Sequence, residues 1–405
     1  SFSYVGMADQ EIKVAGQNTI NVVLKDDVAA LDEVIVVGYG TAKKQSLTGA
    51  VSAVKGDELL KAPATNVSSL LGGRLPGISS VQVSGEPGDD QATLRVRGSI
   101  YNVTYIVDGM PRSINDINPN DIESVSVLKD GASAAVYGLK GAGGVIIITT
   151  KKGQEGKPRI NARAEFGFTS PTKRPSMLGS AEWAELYNEA ANLTYYAPEV
   201  IDKYRTGSDP DLYPNVNWTD ALFDNMAENQ RVNLSITGGS DIVKYYVSGS
   251  YYHENSIYKN AGNIYGYNSS LRYNKFNFRA NVDVNVTPST LLNVNLANIY
   301  EKSFGPGYGN NDDDIWSYTL STSPNAFPIQ YSDGILSGPS TDAGQNPYNL
   351  LVHSGYREQF WNSSQSLIGI TQDIGKLWKP LEGLTANVKF SWDAWNTTWQ
   401  RRSKT

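Results

Sequence analysis

Residues 276–286 read Phe-Asn-Phe-Arg-Ala-Asn-Val-Asp-Val-Asn-Val, so apolar and polar side chains alternate along the whole stretch. Successive side chains of a β-strand point to opposite faces, and the pattern therefore predicts a strand with one apolar and one polar face. The same alternation recurs after residue 158 in further segments: 160–168, 231–237, 243–251, 292–300, 366–374 and 384–393. We therefore expect this part of the chain to form a large sheet of about seven strands.

Two details favour a membrane barrel over a soluble sandwich, in which strands also alternate. Several segments approach the ~9–11 residues that a tilted strand needs to cross a bilayer, against the usual ~5–6 residues of a strand. Long insertions near residues 177–227 and 305–358 contrast with short turns elsewhere, which is the asymmetry of outer-membrane barrels. Aromatic residues also cluster at strand ends, as interfacial girdles do: Tyr251, Tyr252, Tyr300, Trp392, Trp395 and Trp399.

The composition excludes several classes of protein. The chain has 405 residues, no cysteine, two histidines and a formal net charge of −6. A disulfide scaffold, a cysteine-ligated zinc site and a thiol nucleophile are therefore excluded, and mild acidity argues against a nucleic-acid interface. A mean hydropathy of −0.36 without a long apolar run excludes a transmembrane helix. No acid/base pair or nucleophile constellation stands out, so we do not expect an enzyme, although two carboxylates would suffice for a glycosidase.

The chain before residue 158 is organised differently. Residues 1–26 read as short strands, residues 27–48 as a linker, and residues 49–153 as a mixed α/β unit. In the α/β unit, Asn66 can cap a helix that ends at Gly72, and an Ala-rich helical turn covers residues 132–137. The strands of this unit are predicted at residues 78–83, 92–96, 105–107, 122–128 and 145–150. The strand–helix–strand run at its end predicts a right-handed crossover.

The insertions carry two further patterns. An apolar stripe from Trp183 to Ala191 predicts a helix, and a second short helix is expected to start at Pro198 and to stop before Gly207. The triplet Asp312-Asp313-Asp314 could hold Ca²⁺ at an extracellular loop, because hard cations take clustered carboxylates. A solvated acidic loop is the alternative, since no distal glutamate completes an EF-hand; we otherwise expect no cofactor and no metal.

The linker and the α/β unit contain candidate interaction residues. Four β-branched residues lie between charges and glycines in Asp32-Glu33-Val34-Ile35-Val36-Val37-Gly38-Tyr39. This segment is either a buried strand or an exposed one that pairs with a partner's sheet edge. Arg95 and Arg97 lie on one face of a strand. They are either surface charges or partners for inward carboxylates such as Asp283 or Glu165.

Several stretches together resemble the SusC/RagA-type TonB-dependent outer-membrane transporters. The most specific one runs from Asn118-Pro119-Asn120-Asp121-Ile122-Glu123-Ser124-Val125 through Ala132-Ser133-Ala134-Ala135-Val136-Tyr137-Gly138 to Gly143-Gly144-Val145. The other matching stretches are residues 31–41, 47–51, 94–98, 105–111 and 209–215.

The resemblance implies a domain assignment. Residues 1–26 would end a carboxypeptidase-regulatory-like N-terminal extension, and residues 27–48 would hold the TonB box at Asp32–Tyr39. Residues 49–153 would form the plug, with Arg95, Arg97 and Asp108 as plug–barrel contacts. Residues 154–405 would be the N-terminal part of an antiparallel transmembrane β-barrel of about 22 strands. About seven strands cannot close such a barrel, so we expect further chain to complete it.

The resemblance also implies a function. Members import a nutrient actively across the bacterial outer membrane, driven through TonB with ExbB and ExbD, and a SusD-like surface lipoprotein closes the barrel as a lid. The substrate is usually an oligosaccharide and sometimes a peptide. Substrate-binding candidates in the second insertion are Asn310, Asp312, Trp316 and Tyr318. A soluble β-rich glycan-binding protein is the alternative from a different class.

Overall fold

The chain divides into two compact units. The computed structural model describes residues 2–4, 7–10, 34–37, 40–43, 51–61, 66–259, 262, 265–308, 313–338 and 345–403, with side chains from residue 51 onward except those of residues 313 and 314. The first unit, here called the α/β unit, comprises Ser1–Val83 and Gln91–Lys151. The second, the sheet unit, comprises Ser84–Asp90 and Lys152–Thr405.

The α/β unit is built around a five-stranded sheet in the order β5-β10-β11-β8-β9, with three separate strand pairs, β1-β2, β3-β4 and β6-β7. The strands are β1 Phe2–Tyr4, β2 Met7–Gln10, β3 Val34–Val37, β4 Gly40–Lys43, β5 Val51–Lys55, β6 Ile78–Gln82, β7 Ala92–Val96, β8 Thr104–Val107, β9 Met110–Pro111, β10 Ile122–Leu128 and β11 Val145–Thr150. The helices are α1 Gly56–Leu59, α2 Val67–Leu71 and α3 Gly131–Ala134, and two 3₁₀ segments cover Pro119–Asp121 and Ala135–Gly143. The strands predicted for this unit from the sequence are confirmed. The predicted helix after Asn66 is present as α2, although the Asn66 side chain makes no capping hydrogen bond.

The core of the α/β unit lies on both faces of strands β10 and β11. Val125 and Ile148 are fully buried in one cluster, while Leu128, Val145 and Ile147 belong to a second cluster. Burying such a side chain contributes about 1.5–3 kcal/mol. The near-continuous apolar runs of these strands follow from this placement, because both of their faces are covered.

The predicted right-handed crossover between residues 122–128 and 145–150 is wrong. Strands β10 and β11 pair antiparallel, with Val125 opposite Ile148. The parallel neighbour of β11 is β8, where Ile147 lies opposite Ile106. The connection contains one turn of α-helix followed by 3₁₀ structure, and Gly144 has a left-handed φ of 86°. This compact turn reverses the chain instead of carrying it across the sheet.

The sheet unit contains a seven-stranded antiparallel sheet in which every strand pairs with its neighbours in the sequence. The strands are β12 Gly156–Thr169, β13 Ala227–Gly239, β14 Val243–Asn255, β15 Arg272–Thr287, β16 Thr290–Pro306, β17 Gly355–Asp373 and β18 Thr385–Ser403. The predicted sheet of about seven strands is confirmed. Most strands run beyond the alternating segments, because hydrogen bonding continues into polar residues near the insertions.

The helices of the sheet unit lie between strands. They are α4 Ser180–Ala191, α5 Pro198–Thr206, α6 Trp218–Leu222, α7 Asp313–Ser321, α8 Pro347–Val352 and α9 Ile374–Leu377, with a 3₁₀ turn at Lys379–Leu381. Helices α4 and α5 confirm the sequence prediction, and α5 begins with Pro198 and ends at Thr206, directly before Gly207, whose φ is 65°. In the part of the chain that the structure describes, no helix is both long enough and apolar enough to span a membrane.

The close approach of Gly143 to Asn102 gives a test of the α/β core. A Cβ atom at Gly143 would lie 2.1 Å from the backbone oxygen of Asn102, so we expect Gly143→Ala to destabilise this unit by about 1–3 kcal/mol. Hydrogen–deuterium exchange of the β11 amides should then become faster. At Gly131 a Cβ would meet open space, and because alanine favours a helix, Gly131→Ala should leave this exchange unchanged or slower. Equal exchange in both variants would contradict this account of the core.

Candidate functional site

The two faces of the seven-stranded sheet have an inverted exposure pattern. On strand β15 the apolar Phe276 and Phe278 are 46% and 50% exposed, whereas Arg279 is 2% exposed and Lys275 is also buried. Phenylalanines that face outward beside sheltered cations are the opposite of a soluble sheet and match a strand that faces lipid on one side. We call the apolar side the outward face and the polar side the inward face.

Charged side chains on the inward face pair across strands. Lys275 lies opposite Glu301, and its Nζ is 2.8 Å from the carboxylate. The Arg163 Nε donates to Glu165 at 2.8 Å, and a guanidinium nitrogen of Arg231 lies 3.6 Å from the other oxygen of the same carboxylate. Glu165, predicted from the sequence as a candidate partner for the arginines of the α/β unit, therefore has partners in the sheet itself. The other candidate carboxylate, Asp283, accepts a hydrogen bond from Asn293 at 2.7 Å.

The residues Ser84–Asp90, here called the wall segment, belong to the sheet unit although their neighbours in the sequence belong to the α/β unit. The Glu86 carboxylate lies 3.8 Å from the guanidinium of Arg357 on strand β17, and both side chains are largely buried. The Asp89 amide donates to the Glu86 carbonyl at 2.9 Å, which closes a tight turn. At the tip of this turn, Gly88 has a φ of +85°, and a Cβ there would lie 2.5 Å from the ring of Tyr273. Only glycine fits this position, because both the backbone conformation and the space exclude a side chain.

A cavity of about 390 Å³, here called the wall pocket, lies between the wall segment and the inward faces of strands β15, β16 and β17. Its lining combines carboxylates, a guanidinium, an amide and two large aromatic rings. The lining residues are Glu86, Pro87, Gly88, Asp89, Tyr273, Glu301, Ser303, Arg357, Gln359 and Trp361. In small-molecule sites, convergent polar groups orient the ligand and aromatic rings commonly supply contact area.

The two insertions pack against each other through a core of their own. Trp218 of α6, Ile315 of α7 and Leu351 of α8 are fully buried in one cluster. The Trp218 Nε1 donates to the carbonyl of Ser323 at 3.2 Å, and the Val216 amide donates to the carbonyl of Pro324 at 2.9 Å. The insertions are thus tied together by apolar burial and by hydrogen bonds.

Two of the predicted substrate-binding residues lie at the insertion core and not at the wall pocket. Trp316 is 39% exposed and its ring contacts Phe223 at 5.1 Å, while Tyr318 packs against the cluster. Asn310 and Asp312 lie outside the described residues, as do the side chains of the other aspartates in the acidic triplet.

Residues 43–145 match the TonB-dependent Receptor Plug Domain family. The chain is 35% identical over 351 residues to the TonB-dependent receptor P26 of Formosa agariphila, covering 83% of this chain and 33% of that protein. It is also 35% identical over 273 residues to the TonB-dependent receptor SusC of Bacteroides thetaiotaomicron, covering 64% of this chain and 26% of that protein. The chain therefore spans about a third or less of the length of these relatives.

Among solved structures, the RagAB peptide importer in its open-open state has the same fold. The TM-score is 0.71 at 22% identity, over 91% of this chain and 43% of that chain. The plug match, the SusC relative and this fold agree. The chain belongs to the SusC/RagA-like TonB-dependent receptors. These receptors are outer-membrane β-barrel proteins, so the predicted outer-membrane location is confirmed and a soluble glycan-binding protein is set aside.

In this receptor the residues predicted as the TonB box form one arm of a strand pair. Val34–Val37 is strand β3, which pairs antiparallel with β4, so that Val36 lies opposite Thr41. Asp32, Glu33, Gly38 and Tyr39 lie outside the described residues. The assignment of this segment to a TonB box stays a prediction.

Two of the three predicted plug–barrel contact residues adopt unusual backbone conformations. Arg97 and Asp108 have positive φ values of 52° and 50°. The Asp108 carboxylate accepts hydrogen bonds from the backbone amide and the hydroxyl of Thr150, at 3.0 and 2.8 Å. Partial burial and the neighbouring Arg97 lower the pKa of Lys129, and the Arg95 guanidinium donates to the carbonyl of Ser99 at 3.0 Å. These contacts all lie within the α/β unit, and a contact of the three residues with the barrel stays a prediction.

The wall pocket is not predicted from the sequence. Its only local signal is Glu86-Pro87-Gly88-Asp89-Asp90, which indicates an acidic turn. The remaining lining residues lie on three strands and meet only through the strand register, in which Ser303 lies opposite Gln359.

The fit of Gly88 against Tyr273 gives a test of the wall pocket. We expect Gly88→Ala to displace the wall segment, because an alanine would clash with the ring and adopt an unfavourable φ, at a cost of about 1–3 kcal/mol. Hydrogen–deuterium exchange of residues 84–90 should become faster. A Cβ at Gly85 would meet open space, so Gly85→Ala is the matched control. Unchanged exchange in Gly88→Ala would show that the wall segment does not depend on this contact.

Proposed function

We propose that this chain is the N-terminal part of a transporter that imports a nutrient through an outer-membrane barrel with energy supplied by TonB. The observation that carries the proposal is the wall pocket, which combines polar groups and aromatic rings on the inward face of a sheet whose other face is apolar. A site on the inward face of a barrel is reached by solutes in the lumen and not by lipid. The relatives that the chain matches are named as receptors, and we propose no catalytic role.

We further propose that the substrate is an oligosaccharide. Trp361 offers a ring face that can stack on the apolar face of a sugar, and the buried Tyr273 ring closes the cavity beside it. The carboxylates of Glu86 and Asp89 and the amide of Gln359 offer hydrogen-bond acceptors, and the amide also a donor, to sugar hydroxyls. A peptide is the second candidate, because the same cavity presents the Arg357 guanidinium to a terminal carboxylate and carboxylates to a terminal amine.

The partners follow from the same proposal. Strand β3 would pair with TonB by strand addition, and ExbB and ExbD would energise TonB. A SusD-like lipoprotein would bind at the insertions. An exposed apolar group on the first insertion supports such a contact, since patches of this kind mark interaction sites. Its members are Leu186, Tyr187, Leu193 and Tyr195.

The role of Trp361 distinguishes the two substrate classes. If an oligosaccharide stacks on this ring, Trp361→Ala should weaken its binding to the purified receptor by about tenfold, which corresponds to about 1.4 kcal/mol, in isothermal titration calorimetry. Trp361→Phe keeps a ring face and should lose less affinity. If the receptor binds peptides with an affinity that falls steeply with added salt, and does not bind oligosaccharides, the substrate is a peptide and not a glycan.

The energy-coupling step has a separate test. Val36→Pro removes a backbone donor from strand β3, so we expect it to prevent strand pairing with TonB. Uptake into cells should fall to the level measured without a proton-motive force, while equilibrium binding of substrate stays unchanged. Val36→Thr keeps the amide and a β-branched side chain and should transport normally. Energy-dependent uptake that survives both Val36→Pro and deletion of residues 33–39 would refute TonB coupling through this segment.

A further inference from the structure

The outward face of the sheet changes character along its strands. By register, Phe276 on β15 lies opposite Tyr300 on β16, and these aromatic rings end the apolar rows on the side of the long insertions. Beyond them, the outward positions of β15 and β16 are Asn274 opposite Lys302 and then Arg272 opposite Phe304. Long insertions mark the extracellular end of such a sheet. The change from apolar to cationic side chains therefore lies at the outer edge of the membrane.

The cations at this edge are held over aromatic rings. The guanidinium of Arg272 lies 4.2 Å from the centre of the Phe304 ring. The Lys302 ammonium lies 4.4 Å from the same ring and 4.6 Å from that of Phe360. These contacts hold the charged ends beside the outward face, in the way that long basic side chains lie at a membrane–water boundary.

A cavity of about 530 Å³ opens at this edge on the outward face, and we call it the rim pocket. Phe304, Tyr356 and Tyr267 supply aromatic walls, and Arg272 and Arg402 supply guanidinium groups. Glu358 contributes a carboxylate. Tyr356 and Glu358 lie on the outward face, because they are separated by even numbers of residues from Ile368 and Ile370 on the same strand, which are exposed.

The charges of the rim pocket are not balanced. The Glu358 carboxylate forms an ion pair with Lys302. Among the described residues, neither Arg272 nor Arg402 forms an ion pair with a carboxylate. Two arginines thus share one cavity whose single carboxylate already has a partner. Guanidinium groups bind phosphate through two parallel hydrogen bonds, which makes phosphate a well-matched anion for this cavity.

We propose that the rim pocket binds the phosphate group of a phosphorylated lipid in the outer leaflet. Arg272 and Phe304 of the pocket lie two residue pairs beyond the last apolar row, so a lipid whose chains lay against Leu296 and Phe278 would place its headgroup near Arg272 and Arg402. Basic side chains at the membrane surface recognise anionic headgroups in this way. The pocket opens on the face opposite the wall pocket, which separates this ligand from the transported substrate.

The test uses the intact receptor, extracted from the outer membrane and analysed by native mass spectrometry. The probes are a phosphorylated glycolipid of the outer-leaflet type, the same lipid after dephosphorylation, and inorganic phosphate. We expect the phosphorylated lipid to bind and its affinity to fall about tenfold with each of Arg272→Gln and Arg402→Gln, as the loss of one charged hydrogen-bonding group predicts. Arg205→Gln, a matched loss of an exposed arginine on helix α5, should have no effect.

Three outcomes would overturn the proposal. Equal binding of the dephosphorylated lipid would show that phosphate is not recognised. Inorganic phosphate that binds as tightly as the lipid would make the rim pocket a site for free anions. Unchanged lipid affinity in the double variant Arg272→Gln/Arg402→Gln would place the lipid elsewhere. Arg272→Lys keeps the positive charge but loses the planar guanidinium. We expect its lipid affinity to lie between those of Arg272→Gln and the natural protein, which would show that the site is folded and that the guanidinium geometry contributes.

Discussion

The structure depends on the requirement that every backbone amide and carbonyl in hydrocarbon be hydrogen bonded within the protein. An antiparallel sheet meets this requirement by pairing each strand with its neighbours, and the side chains are then forced into two alternating sets. In the sheet unit the apolar set faces outward, so it cannot also build an interior core. Cross-strand charge pairs such as Lys275–Glu301 occupy the inward face instead.

The α/β unit contains similar apolar residues but buries them in an interior core. Its strands β10 and β11 cover both faces with apolar side chains and bury them almost completely. The two units therefore place their β-branched and aliphatic residues differently. In the α/β unit these side chains form a core away from water, and in the sheet unit they face lipid. The two kinds of strand can be told apart in the sequence. Only strands of the sheet unit alternate apolar and polar residues, because only that sheet has a polar face.

Much of this arrangement is predictable from the sequence, because strands and helices depend on neighbouring residues. Features that depend on contacts between distant residues are not. Alternation fixes the strands and their faces locally, and the proline and glycine at the ends of helix α5 fix its bounds. The order and direction of strands depend on contacts between distant residues, so the antiparallel pairing of β10 with β11 was not predictable from the turn between them. The wall pocket has the same origin, since Tyr273, Glu301 and Trp361 meet only once the register of three strands is set. Trp316 and Tyr318 are predicted to bind substrate because aromatic faces suit sugars, but a long insertion also needs aromatic residues to build its own core.

The placement of the wall segment has a mechanical consequence. Because Ser84–Asp90 is fastened to the sheet, it divides the plug chain into two lengths that are each tethered at a fixed point. A pull applied at Val34–Val37 can draw out the chain only as far as Ser84 before the load reaches the ion pair of Glu86 and the turn at Gly88. The intervening residues reach about 160 Å when fully extended. Strands β5 and β6 lie between the pulled end and this fastening, but they pair with β10 and β7 beyond it, so these strand pairs must separate before the load reaches the sheet.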